Sequence, residues 1–132
     1  MLEAVGREIP EIFKFCHLSY GYPSILKFGS HSIISQEGAQ QGDPLGPLLF
    51  CLALHPMLTS LSSALVIGYL DYITLGGDVQ TLAQDVQQIK SHGVDMGLNL
   101  NVKQCEIISN SSQPSDAIFQ NFIYLDTKHA TL

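Results

Sequence analysis

The feature that most constrains the fold is the stretch at residues 48–54, which carries an apolar side chain at every position. It follows a polar, glycine-rich stretch at residues 36–47, and this change of character indicates the beginning of a helix. A helix that is apolar on all sides must be buried by the rest of its chain. Because Pro56 lacks a backbone N–H, this helix is expected to bend or to begin again near that residue.

Two alternatives exist for the first residue of this helix. Asp43 can cap the helix, with Pro44 at the first helical position. Gly46 can do the same one turn later, with Pro47 following it. Both pairs are typical of helix starts, because short polar residues and glycine are favoured at the N-cap and proline just after it.

The remaining elements follow from the spacing of apolar residues and from turn signals. They are helices at 2–9 and 10–18, strands at 24–28 and 32–35, a hairpin of 65–70 with 73–75, a helix that Asp78 caps and that ends near Gly97, and a strand pair of 98–100 with 106–108. The last apolar run, at 119–125, is of undetermined type. This pattern predicts an α+β fold with a small antiparallel sheet, in which a central hairpin packs on helices.

Length and charge narrow the classes of function. With 132 residues and 45% hydrophobic content, the chain 1–132 is expected to form a single domain with one ordinary core. Its formal net charge is -6, and its six Lys and Arg residues are scattered along the sequence. No basic patch that could follow a phosphate backbone is visible, so nucleic acid should be bound weakly if at all.

The cysteines and the N-terminus bear on location. Cys16, Cys51 and Cys105 have no spacing that suits a metal site, so buried free thiols in a reducing compartment are expected. The N-terminus has no signal-peptide pattern, and no stretch is long and apolar enough to span a bilayer. An intracellular protein, nuclear or cytoplasmic and without a membrane partner, is the expectation.

Three stretches follow one another in a recognisable order: SQEGAQQGDPLGPLLF at 35–50, IGYLDYITLGG at 67–77 and GLNLNVKQCE at 97–106. They resemble motifs B, C and D of the reverse transcriptases of non-LTR (LINE-type) retrotransposons, which are RNA-directed DNA polymerases. The first stretch is specific by itself, because its glycines and prolines match in register. The resemblance covers residues 20–110 and implies a partial polymerase palm.

The resemblance also implies a metal site, because the family holds two Mg²⁺ ions with three aspartates. One aspartate comes from motif A, and two are adjacent in a Tyr-x-Asp-Asp box. Here the box reads Tyr69-Leu70-Asp71-Tyr72, so Asp71 is the remnant catalytic and metal-binding residue and Tyr72 replaces the second aspartate. A phenol with a pKa of about 10 is a poor Mg²⁺ ligand at neutral pH. The sequence begins after the position of motif A, so a truncated, inactive enzyme without a cofactor is expected.

Other site residues are carried over by the same resemblance. The contacts with nucleotide or template would come from Gln41, Gly42, Asp43, Pro44 and Tyr69. Lys103 is the candidate proton donor of motif D, although the family lysine position is held here by Gln104, and a one-residue slip in a strand turns a side chain to the other face. The purely structural interpretation is a loop and a capped helix at 36–47, and an Asp71 that bonds its own backbone in a hairpin turn.

Two functions stay open for such a fragment. It is either a relic that has lost polymerase activity or a relic reused as a protein-binding or self-assembling module; a third arrangement has motif A supplied by another chain. A homo-oligomer or a protein partner is expected, because the hairpin lacks its neighbouring motif A strand. The free edge carries Val66, Ile67, Tyr69 and Ile73, without Lys or Pro to oppose strand addition. Residues 119–125 could instead occupy the vacant strand position.

Overall fold

The computed structural model describes residues 1–36, 38–40, 42–109 and 114–127. Over these residues the chain is an α+β protein of α-helices and two-stranded sheets, as the sequence predicts. The chain divides into two compact units: Met1–Thr59 with Gly68–Tyr72, and Ser60–Ile67 with Ile73–Leu132. Within the described ranges, no helix combines the length and the apolar character that crossing a membrane requires.

The first unit begins with two helices and a ribbon, all close to their predicted bounds. Helices α1 (Leu2–Glu8) and α2 (Pro10–Tyr20) are separated by Ile9, whose φ of -141° is extended because a residue before proline avoids the helical region. Strands β1 (Ser24–Phe28) and β2 (His31–Ser35) pair antiparallel across the turn at 29–30.

Helix α3 (Gly46–Thr59) begins at the second of its two predicted places and runs through Pro56 without a new start. Its Leu49 joins Val5 of α1 and Cys16 of α2 in a core whose three side chains are each 0% exposed. Partly buried apolar side chains surround this core: Leu2, Ile12, Tyr20, Leu45 and Leu52. The first unit is therefore held together by one side of α3.

The other side of α3 contradicts the prediction of burial all round. Leu48 is 36% exposed, and Cys51 is exposed as well. Only part of α3 finds neighbouring side chains to pack on, so its apolar surface is not covered completely. The prediction of buried thiols is accordingly confirmed for Cys16, wrong for Cys51 and partly met by Cys105, which is half-buried.

A hairpin is formed by β3 (Leu65–Tyr69) and β4 (Tyr72–Gly76), as predicted, but its turn lies one residue earlier than expected. Leu70 and Asp71 form the turn, so Tyr72 is the first residue of β4 rather than a turn residue. A connection of two residues makes the strands antiparallel.

The second unit is built around α4 (Val79–Asp95). Asp78 caps the helix as predicted, since its carboxylate accepts a hydrogen bond from the Thr81 N–H at 2.9 Å. Val86 and Ile89 of the predicted apolar stripe are buried. The helix ends before Gly97, whose φ of +74° lies in the left-handed region that glycine adopts readily.

The predicted strand pair of 98–100 with 106–108 is wrong in its partner. The N–H of Leu98 bonds to the Gly93 carbonyl at 2.7 Å, so this segment closes the end of α4 instead of forming a strand. Strand β5 (Glu106–Ser109) pairs in parallel with β6 (Ile123–Asp126). The run at 119–125 therefore contributes to β6, and the alternative in which it pairs beside the hairpin is wrong.

Candidate catalytic box and nucleotide loop

Residues 69–72, the candidate catalytic box, form the tip of the hairpin. Tyr69 ends β3 and Tyr72 begins β4, and each of these tyrosines is 71% exposed. Asp71 lies between them on the turn, with its side chain exposed. The hairpin thus presents one carboxylate and two phenols to solvent.

This arrangement does not fit a pair of Mg²⁺ ions. Two hard cations need several carboxylate oxygens from more than one residue, and the residue that follows Asp71 supplies a phenol. Among the residues that the structure describes, no three His, Cys, Asp or Glu side chains gather closely enough to hold a metal ion. Asp71 therefore belongs to no metal-binding cluster within the described part of the chain.

The backbone of the turn is strained at Leu70. Its φ of +53° makes it the one non-glycine residue with positive φ in the described part of the chain. The left-handed conformation brings the Cβ of an L-residue close to the following carbonyl oxygen, at a cost of about 1–2 kcal/mol. The strain lies in the box itself, between Tyr69 and Asp71.

The loop before α3 is organised by Asp43. Its carboxylate accepts a hydrogen bond from the Leu45 N–H at 2.9 Å, and its own carbonyl accepts one from the Gly46 N–H at 2.9 Å. The same carboxylate accepts a hydrogen bond from the hydroxyl of Tyr20 at the end of α2. This contact lowers the pKa of the Asp43 carboxyl and raises the pKa of the Tyr20 hydroxyl, because the hydrogen bond favours an ionised carboxylate and a protonated hydroxyl.

The other predicted nucleotide contacts have simpler surroundings. Gly42 has a φ of +86°, and no atom of the described residues lies within 4 Å of where a Cβ would be, so the backbone angle rather than crowding requires glycine. Pro44 is exposed and precedes the first turn of α3. Gln41 lies outside the described residues.

Lys103 lies in a 3₁₀ turn (Val102–Gln104) and not in a strand, which corrects the expected setting of motif D. A one-residue slip here rotates a side chain around a helical turn instead of moving it to the opposite face of a sheet. Asn101 donates a side-chain hydrogen bond to Gln104 at 2.8 Å, while Lys103 is exposed. Cys105, which precedes β5, has a thiol pKa raised by burial.

A buried carboxylate that the sequence prediction missed lies in the second unit. Asp85 of α4 is 2% exposed, and it accepts hydrogen bonds from the Ser62 N–H at 3.0 Å, the Ser63 N–H at 2.7 Å and the Ser63 hydroxyl at 2.5 Å. Burial alone would raise the pKa of this carboxyl, but the Ser63 and Ser62 donors outweigh burial and lower the pKa. Asp85 lies three residues after Leu82, on the apolar stripe of α4, and this position in the sequence already indicates a buried carboxylate.

The predicted site residues thus fall on three segments: Tyr69, Asp71 and Tyr72 on the hairpin; Gly42, Asp43 and Pro44 on the loop before α3; and Lys103 in its 3₁₀ turn. The hairpin tip and the loop belong to the first unit, and Lys103 belongs to the second.

Comparison with known proteins identifies the family. The family model described as reverse transcriptase (RNA-dependent DNA polymerase) matches residues 7–124. No curated protein and no solved structure matches the chain. The family match spans both units and includes all three segments of the candidate site. The chain therefore belongs to the reverse transcriptase family.

Proposed function

We propose that this chain is a palm fragment of a non-LTR, LINE-type retrotransposon reverse transcriptase and that it does not polymerise nucleotides. The observation that carries the proposal is Tyr72, which follows Asp71 where the family box has a second aspartate. The chain is best regarded as one palm domain, in which the loop before α3, the hairpin and the 3₁₀ turn correspond to motifs B, C and D.

The loss of activity follows from what a pair of metal ions requires. Each carboxylate in such a site neutralises charge that develops as the attacking oxygen and the leaving pyrophosphate exchange. A phenol with a pKa of about 10 stays protonated at neutral pH and brings no charge to the ion. Asp71, exposed on its turn, is then a single remaining ligand. We expect no resident cofactor.

Primer extension by three forms of the full chain tests the proposal: wild type, Tyr72→Asp and, as a matched control, Tyr69→Asp. All three should incorporate no nucleotide with Mg²⁺ or Mn²⁺, because Tyr72→Asp raises the box to two carboxylates while the family site uses three. The Tyr69 control introduces the same charge on the same hairpin at the other exposed tyrosine. Activity in Tyr72→Asp but not in Tyr69→Asp would show that another residue of this chain supplies the third carboxylate, and it would contradict the proposal.

Weak binding of nucleic acid belongs to the same proposal. The net charge of -6 makes the long-range interaction with phosphates repulsive, and six scattered basic residues release few counterions. Fluorescence anisotropy with a labelled RNA at physiological salt should therefore give no binding below the micromolar range. Tighter binding with a steep dependence on salt would contradict this expectation.

We expect the chain to lie inside the cell, in the nucleus or the cytoplasm.

A second candidate function is a self-assembling or protein-binding module that reuses the relic fold. It is favoured by the large apolar side chains that stay exposed on the ribbon of β1 and β2 and on the hairpin of β3 and β4. Examples are Ile34 at 67% and Ile67 at 51%. Contiguous exposed apolar surface of this kind is typical of interaction sites. Sedimentation equilibrium of the wild-type chain distinguishes the two cases, since a module of this type should be a defined oligomer at tens of micromolar.

A further inference from the structure

The ribbon of β1 and β2 has large apolar side chains exposed on both of its faces. Ile25 pairs with Ile34 on one face, and Leu26 pairs with Ile33 on the other. These side chains are 68%, 67%, 53% and 56% exposed, and Phe28 is 76% exposed. Within the described residues, no helix or strand packs extensively on the ribbon apart from its own two strands.

An isolated two-stranded ribbon is marginally stable in water, because stability requires further strands or a helix packed on a hydrophobic face. We propose that the free edge of β2 pairs antiparallel with β2 of a second copy of this chain, about a two-fold axis, to form a four-stranded sheet. The inference rests on the self-assembly candidate above and assigns its interface to β2 rather than to the hairpin of β3 and β4.

The two edges of the ribbon are not equivalent. Strand β1 follows Pro23 and carries Lys27, and both residue types oppose the addition of another strand. Strand β2 has five residues, without proline, lysine or a carboxylate. Pairing all five residues with their symmetry mates places Ile33 opposite Ile33 of the partner subunit.

Charge favours a second copy at this edge. Residues 21–35 contain one charged side chain, Lys27, and none of the twelve Asp and Glu residues of the chain. Two copies that meet here therefore avoid the repulsion that a net charge of -6 imposes on other surfaces. Across a two-fold axis through β2, both Lys27 side chains lie on the outer strands of the four-stranded sheet.

The area available sets the strength of the dimer. Pairing along the edge of β2 covers its backbone groups and part of Ile33 and Ile34, while the exposed side chains of β1 stay on the outer strands. A standard interface buries about 800 Å² per partner. The pairing of two five-residue edges is smaller than this and depends mainly on backbone hydrogen bonds. The expected dimer dissociates on dilution, which makes its mass depend on concentration.

Charge exchange at position 33 tests the interface, with mass measured by sedimentation and folding by circular dichroism. Ile33→Lys and Ile33→Glu each place two like charges directly opposite one another, so each variant alone should be a monomer. Mixing the two variants places opposite charges there and should restore a dimer that contains one chain of each kind. Because Ile33 is already 56% exposed, neither change removes core packing.

The matched control makes the same two changes at Ile67 of β3, which is 51% exposed. These variants should remain dimeric. A dimer that the Ile67 pair dissociates and the Ile33 pair does not would overturn the β2 interface while leaving self-assembly intact. A wild-type monomer at tens of micromolar would overturn self-assembly and this inference together, without bearing on polymerase activity.

A second measurement keeps the test decisive if a charged variant fails to fold. Ile33→Cys, made together with Cys51→Ser to remove the exposed native thiol, should form a disulfide between two copies under mild oxidation. Directly opposed residues in an antiparallel pair have Cα atoms about 4.5–5.5 Å apart, which suits a disulfide. Failure of this cross-link in a folded dimer would contradict the symmetric pairing.

Discussion

The hydroxyl of Tyr20 donates a hydrogen bond to the carboxylate of Asp43, and this contact joins the end of α2 to the loop before α3. The two residues are 23 positions apart, and both belong to the first unit. The geometry of the loop before α3 therefore depends on a residue of α2.

Tyr20→Phe should destabilise the chain, lowering the midpoint of thermal unfolding by roughly 2–4 °C. The pKa of Asp43 is lowered, so the contribution of this contact is present above the ordinary carboxyl pKa of 3.8 and is lost as pH falls through the folded value. The pKa of Tyr20 is raised, so the contribution is lost again as pH rises above 10.0 through the folded value. Tyr22→Phe, at a tyrosine that is 72% exposed, is the control and should leave the midpoint unchanged.

Asp85→Asn should lower the free energy of unfolding by about 2 kcal/mol, because an amide leaves one of the Ser62 and Ser63 donors facing an N–H group. The lowered pKa of Asp85 means that its contribution is present above 3.8 and is lost as pH falls through the lower folded value. Urea unfolding at a series of pH values should show a weaker acid dependence in the variant. Asp95→Asn, at the exposed end of the same helix, should change stability little, and an equal effect there would contradict the assignment.

Leu70→Asn should stabilise the hairpin, because asparagine adopts positive φ more readily than leucine does. We expect a gain of about 0.5–1 kcal/mol, since Leu70 is 38% exposed and loses some packing as well. Leu70→Val should do the opposite, because a β-branched side chain is still less compatible with this backbone angle. Chemical denaturation of the pair decides the point, and equal effects of Asn and Val would argue against strain at this position.

Gly42→Ala should destabilise the chain by about 1 kcal/mol, because alanine cannot adopt a φ of +86° without strain. Gly46→Ala is the matched control within the same loop and helix start. A Cβ there meets Ala39 at 3.6 Å, an ordinary contact, and the first turn of α3 gains a better helix former. The control should be neutral or stabilising, and a loss equal to that of Gly42→Ala would point to crowding instead of backbone strain.

The sequence predicted most elements because their signals are local. Proline after Ile9, the Asp78 cap and the turn at 29–30 each mark a boundary within a few residues, and the structure has the boundaries there. The hairpin turn was misplaced by one residue because nothing in a leucine indicates positive φ. The sequence shows which residue types form the box, whereas only the structure shows that they are exposed around a turn.

The missed features depend on residues that are distant in sequence. The parallel pairing of β5 with β6 and the hydrogen bond of Tyr20 to Asp43 have no local signature. One side of α3 is exposed because few side chains of the described residues pack on it. The hydrophobicity of the sequence alone does not predict this. Asp85 is the exception, since a carboxylate on an apolar stripe already indicates a buried polar contact.

Incorporation of labelled nucleotide on a primed RNA template, by the full wild-type chain at saturating Mn²⁺, tests the central claim most directly. The claim is that a box with Asp71 followed by Tyr72 no longer supports polymerisation. We predict that wild type and Asp71→Asn both give the signal of a reaction without protein. Sustained incorporation by the wild-type chain that Asp71→Asn abolishes would contradict the account.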